Sequence, residues 1–142
     1  MQTWIPDSRN FAYLTWPQVQ AIPKDNALLV LPTAAIEQHG HHLPLATDTL
    51  INNLLLGHAL AKLPAEAPVY ALPPVCYGKS NEHLGFPGTL SLSASTFMAV
   101  LRDIGASVGV KESATGWPLR LSARSAERAC SISGVCRCVP PT

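Results

Sequence analysis

Two short apolar runs separated by one helical pattern constrain this chain more than any other feature of it. Residues 27–32 (Ala-Leu-Leu-Val-Leu-Pro) follow the turn signal Asp25-Asn26. An uninterrupted apolar run of that length is the pattern of a strand covered on both faces. Residues 69–73 (Val-Tyr-Ala-Leu-Pro) form a second such run. Between them Ile51, Leu54, Leu55, His58 and Ala61 recur at helical spacing. The spacing predicts a helix capped by Thr47 or Asp48 and running to about Lys62, with that stripe against a sheet. On this face His58 reads as a packed core histidine. Strand, helix, strand implies a parallel pair with a right-handed crossover. The class is α/β, and in such sheets ligands gather in loops beyond the carboxyl ends of the strands.

Two polar loops occupy that position. Residues 37–48 (Glu-Gln-His-Gly-His-His-Leu-Pro-Leu-Ala-Thr-Asp) bring together Glu37, His39, His41, His42 and Asp48. Imidazole nitrogen suits zinc, and carboxylate oxygens also suit manganese or magnesium. Gly40 and Pro44 keep the segment out of a helix, so its side chains can converge. The plain alternatives are a surface loop with incidental histidines and, for Asp48, simple helix capping. The second loop, residues 77–92, reads Tyr-Gly-Lys-Ser-Asn-Glu-His-Leu-Gly-Phe-Pro-Gly-Thr-Leu-Ser-Leu. There Ser80, Glu82 and His83 can hydrogen-bond a small polar substrate, or Ser80 and Asn81 can satisfy their own backbone. The two loops are placed to line one crevice.

The flanks are simpler. Residues 1–14 read as an extended lead-in, pinned by Trp4, Phe11 and Tyr13. Thr15 caps a short helix beginning Trp16-Pro17. Ser93 caps another that runs to about Ser107 and buries Phe97, Val100, Leu101 and Ile104. A chain of 142 residues has room for one domain. Charged residues make up only 13% and the net charge is +1, so neither nucleic acid nor a membrane surface is an expected partner. No apolar run reaches the ~20 residues of a membrane span. The first residues lack the pattern of a signal peptide, so a cytoplasmic protein is expected.

Residues 31–40 (Leu-Pro-Thr-Ala-Ala-Ile-Glu-Gln-His-Gly), residues 42–49 (His-Leu-Pro-Leu-Ala-Thr-Asp-Thr) and the second loop together resemble the creatininase family, the creatinine amidohydrolases and their relatives. The resemblance covers residues 10 to 108. It implies a three-layer α/β/α fold with a mostly parallel sheet, incomplete in this chain. It implies two divalent metal ions, zinc and/or manganese, with Glu37 on one, His39 on the other and Asp48 bridging them. Ser80 would contact a small-molecule substrate, a cyclic or linear amide. The resemblance also implies a homo-oligomer, a hexamer in the family.

After residue 108 the pattern breaks. The family's Asn-Gly-His motif does not follow, and no histidine occurs after His83. The catalytic acid and further metal ligands come from that later region in the family, so no catalytic residue is assigned. Residues 1–110 carry five basic and seven acidic residues, whereas residues 111–142 carry five and two, with three of the four cysteines. The expectation is a family domain over 1–108 and an aberrant or disordered tail over 109–142, the product of a shifted coding frame or of genuine divergence. Cys130, Cys136 and Cys138 lack the paired knuckles of a zinc site. The basic stretch at 119–129 lacks aromatic interleaving for nucleic acid. The expected function is metal-dependent amide hydrolysis, impaired by truncation. The alternative is a non-catalytic remnant that binds metal weakly or only self-associates. A Rossmann-like binding domain is disfavoured because no Gly-x-Gly-x-x-Gly follows the first strand.

Overall fold

A computed structural model describes residues 4–109. The expectations for the three late cysteines, the basic stretch and the tail lie outside the described residues. The elements run α1 (Trp16–Ala21), β1 (Leu28–Val30), α2 (Thr47–Ala61), β2 (Val69–Ala71) and α3 (Ala94–Gly109), with three 3-10 turns at Asp7–Arg9, Phe11–Tyr13 and Asn81–His83.

β1 and β2 pair in parallel, with Leu28 opposite Val69, Leu29 opposite Tyr70 and Val30 opposite Ala71. Residue choice explains the pairing: β-branched and aromatic side chains fit a pleated, half-buried surface. In the first run Ala27, Leu29 and Leu31 are buried, while Leu28 and Val30 are only half-buried. The buried face packs with Val19, Ile22 and Leu72, and Leu101, Ile104 and Val108 of α3 lie against the same cluster. α3 therefore presents the expected stripe, and the Ser93 hydroxyl accepts from the Thr96 backbone N–H at 3.1 Å, as a capping residue should. α1 likewise starts at Thr15, whose N–H donates to Gln18 Oε1 at 2.7 Å.

α2 departs from the periodic expectation. Its buried residues are Thr47, Thr49, Asn53, Gly57 and Leu60. Ile51 and Leu55 are 50% and 63% exposed, and His58 faces solvent rather than the core. The cause is a close crossing. A Cβ on Gly57 would lie 2.5 Å from the Trp4 carbonyl oxygen, so the chain entry runs directly over that turn of the helix. Small and polar residues are what this crossing admits.

The lead-in is also held differently. Trp4 and Tyr13 are largely exposed, whereas Ile5 packs with Leu60 and Ala71. Arg9 is buried, and its guanidinium donates to the carbonyls of Ala67 (2.6 Å), Val69 (3.2 Å) and Pro64. These carbonyls belong to the connection between α2 and β2 and to the first residue of β2, so one side chain ties the lead-in to the crossover. Its charge needs no acid here because three carbonyl dipoles surround it. Replacing it removes three hydrogen bonds that tie the lead-in to this region. Arg9→Met is expected to lose about 3 kcal/mol of stability. Urea unfolding should show a lower midpoint at unchanged slope, and an unchanged midpoint would mean that the guanidinium holds nothing.

Candidate metal centre

The ladder between the two strands does not stop where they end. Val75 N–H donates to the Pro32 carbonyl and Ala34 N–H to the Val75 carbonyl, both at 2.9 Å. The two chains thus leave the sheet side by side. Further out, Leu90 N–H reaches the Ile36 carbonyl at 2.9 Å, and Gln38 N–H reaches Thr89 Oγ1 at 3.4 Å. Gly78 sits so close to the first chain that a Cβ would lie 2.5 Å from the Ala34 carbonyl oxygen. Glycine is required there by space alone. The two polar loops therefore fold onto one another and enclose a cleft of ≈ 370 Å3, lined by Thr33, Ala35, Glu37, Asp48, Ser80 and Phe97 among others.

The first loop is fixed at both ends. Thr49 Oγ1 donates to the Ala35 carbonyl (3.2 Å) and Asn52 Nδ2 to the Thr33 carbonyl (2.7 Å), fastening α2 to the exit of β1. Gly40 takes φ 73°, which lets the chain turn back so that His39 bridges Leu43. Thr47 Oγ1 donates to the Pro44 carbonyl at 2.6 Å. Asp48 is not the cap of α2, since the N-cap is Ala46 and no side chain bonds there. Its carboxylate lies in the first helical turn and faces His39 instead.

Glu37, His39 and Asp48 converge, with one ligand-type atom of each within 4.8 Å of the others. His41 and His42 are exposed and do not join them. His39 Nδ1 lies 3.0 Å from the Glu37 carbonyl oxygen and its Nε2 3.1 Å from Asp48 Oδ1. Both oxygens only accept, so the ring donates through both nitrogens as an imidazolium, or a cation stands at Nε2 in place of that proton. The His39 pKa is raised above 6.5, chiefly by the hydrogen bond to the Glu37 carbonyl; desolvation opposes it, and the hydrogen bond to Asp48 and the charges of Asp48 and Glu37 add smaller upward contributions. A donor set of one imidazole and two carboxylates, oriented by a backbone carbonyl, fits a divalent ion.

Ser80 lies on the opposite wall. It is fully buried, its N–H donates to Ser91 Oγ at 2.8 Å, and its Oγ has no hydrogen-bond partner among the described residues. A second group, Glu37, Glu82 and His83, also lies within 4.8 Å. Sequence reasoning missed the roles of Gln38, Thr49 and Asn52. Polar residues in the first turns of a helix were the available signal. It also missed Lys79 at the cleft, which only the pairing of the loops puts there.

A family model described as creatinine amidohydrolase matches residues 12–112. The chain belongs to the creatininase family. This creatininase-family chain is 38% identical over 96 residues to the mycofactocin precursor peptide peptidase of Mycolicibacterium smegmatis, covering 66% of the chain and 36% of that protein. It is 33% identical over 97 residues to the creatinine amidohydrolase of Pseudomonas putida, covering 64% and 36%. A solved glutamate-to-glutamine mutant creatininase of Zn-Zn type superposes with a TM-score of 0.62 at 25% identity, over 77% of this chain and 41% of that one. The chain thus spans about a third of the length of these curated relatives. The described residues form an incomplete portion of the family's α/β fold. No helix among them is long and apolar enough to cross a membrane.

The raised His39 pKa has a signed consequence. A group whose pKa rises on folding adds stability below its unfolded value of about 6.5, and that stability is lost as pH climbs through the higher folded value. Without metal, the thermal midpoint should fall as pH rises from about 6 to 8, and His39→Gln should flatten this part of the profile. Zinc uptake displaces the same proton, so zinc affinity should rise over that range. A metal-free midpoint that climbs with pH in both proteins would contradict the assignment.

Proposed function

We propose that this chain takes part in metal-dependent hydrolysis of an amide bond, with Glu37, His39 and Asp48 as ligands to divalent ions. The observation that carries this is the convergence of Glu37, His39 and Asp48, with one ligand-type atom of each within 4.8 Å of the others, at a cleft that Glu37 and Asp48 line. Divalent ions held there would polarise an amide carbonyl and acidify the attacking water. As the family resemblance implies, two ions would share Asp48, with Glu37 holding one and His39 the other. The Ser80 hydroxyl contacts the substrate, because a buried hydroxyl without a partner is free to bond a group entering the cleft. Phe97, Ala34 and Ala35 give the cleft an apolar side against which a substrate can rest. The substrate is a small cyclic amide or a linear, peptide-like one. The Pseudomonas putida relative is named for the first kind and the mycobacterial relatives for the second. Zinc or manganese fits the donors, the setting is cytoplasmic, and assembly is as a homo-oligomer.

The number of ligands favours a second reading. Among the described residues three side chains, one of them shared, would give each of two ions two protein bonds, and a catalytic zinc normally has about three. By this reading the chain binds a single ion weakly and does not turn substrate over.

Metal content measured by mass spectrometry separates the two. About two equivalents of zinc or manganese, lost in Asp48→Ala, would support the hydrolase and justify an amidase screen. About one weakly held equivalent would support the second reading, and metal indifferent to Asp48 would sink both.

Ser80 gives an independent check. Since its hydroxyl bonds nothing, Ser80→Ala should leave the thermal midpoint unchanged or slightly higher, while kcat/KM falls roughly tenfold. A large drop in stability would mean that the hydroxyl is structural.

A further inference from the structure

Glu37, Glu82 and His83 have the residue types of another cation site, but the hydrogen bonds of Gln38 point elsewhere. Gly40 N–H donates to Gln38 Oε1 at 2.9 Å, which fixes the oxygen end of that amide. The other end, Nε2, faces His83 Nδ1 at 3.0 Å and can only donate. His83 Nδ1 is therefore an acceptor, and the proton of the neutral ring is on Nε2. That nitrogen faces Glu37 Oε1 at 3.8 Å. A nitrogen carrying its hydrogen is no metal ligand, but it is a donor to a carboxylate.

The Glu37 main chain is already held from both sides. Its N–H donates to the Leu45 carbonyl at 3.0 Å, and its carbonyl accepts from His39. Only the orientation of the carboxylate is left to set. The His83 ring is itself constrained. It stands on the 3-10 turn that follows Ser80, with His83 N–H bonded to the Ser80 carbonyl at 3.1 Å and the Phe86 ring edge-on at 6.2 Å. We infer that His83, locked by Gln38 in its Nε2–H form, is a positioning residue that turns the Glu37 carboxylate toward His39 and Asp48. The separation of 3.8 Å exceeds a hydrogen bond, and closing it takes a shift of about 1 Å. Contacts of this kind tighten when a site is loaded. The purpose of this device rests on the metal-binding role proposed above, but its geometry does not.

Nitrogen-15 spectra of histidine-labelled protein test it, with the His83 signals identified by their loss in His83→Phe. The metal-free protein should show protonated Nε2 and unprotonated Nδ1 at His83, unchanged on adding zinc. Gln38→Glu puts an acceptor opposite Nδ1 and should move the proton to it. Zinc affinity, read by competition with a chromophoric chelator, should fall at least tenfold in His83→Phe and recover largely in His83→Gln, which keeps a donor near the Nε2 position. A His83 proton on Nδ1, or a zinc-ligated Nε2 signal, would overturn the inference. So would a His83→Phe protein that folds and binds zinc like the parent. If His83→Phe does not fold, the parent and Gln38→Glu spectra decide. A parent that takes up no zinc would end the metal-binding role alone, and the metal-free spectra would still report the His83 tautomer.

Discussion

The parallel backbone ladder that begins between β1 and β2 is the constraint on which the rest of this structure depends. It begins with Leu28 N–H on the Pro68 carbonyl, passes through Leu72 N–H on the Val30 carbonyl, and ends with Ala34 N–H on the Val75 carbonyl. Parallel pairing sends both chains out of the sheet on the same side, so whatever each carries next must share space. Glu37 and Ser80 share one cleft for that reason, although 43 positions separate them in the sequence. An antiparallel pair would have placed the two loops at opposite ends.

Pairing alone would leave two mobile loops, because loops lack the repeated contacts of a sheet. Here side chains extend the ladder. Thr49 and Asn52 bind the first loop to α2, Thr89 and Gln38 bind the loops to each other, and Gly78 removes the side chain that would hold them apart. Each of these residues is small or carries an amide or hydroxyl that pairs without charge. The ionisable groups are thereby left free. Glu37, His39 and Asp48 spend little of their bonding capacity on holding the fold, which is what a ligand set requires.

Much of this was legible in the sequence where the cause was local. The strands at β1 and β2, the caps at Thr15 and Ser93, and Leu101 and Ile104 of the α3 stripe depend on neighbours within a few residues and stand as expected. Cover on both faces of β1 does not, since Leu28 and Val30 are only half-buried. The choice of Glu37, His39 and Asp48 among the five polar candidates of that loop came from the family resemblance, while Gly40 and Pro44 marked only a loop able to converge them. α2 was misread because its buried side is chosen by a distant partner. The chain at Trp4 crosses Gly57, so Thr49, Asn53 and Gly57 face inward while Ile51 and Leu55 face out. Periodicity sees hydrophobicity, not the shape of what arrives from elsewhere. Arg9 was illegible for the same reason. An arginine near a terminus reads as surface, and only the three carbonyls of a connection 55 to 60 residues away make its burial favourable.

The electrostatics of the cleft set what can stand in it. Glu37, Asp48 and Glu82 line it, and Lys79 is the lone cationic side chain among the described lining residues. Three carboxylates and one ammonium make the space between them attractive to positive charge. In the reading proposed above a divalent ion would supply it, meeting His39 and two carboxylates at once. His39 faces that space with both ring nitrogens engaged, Nδ1 at the Glu37 carbonyl and Nε2 at Asp48 Oδ1. As an imidazolium it donates through both, so the Asp48 side of the ring is held by one exchangeable proton. In the reading proposed above a divalent ion would take the place of that proton while the Nδ1 hydrogen bond keeps the ring in position.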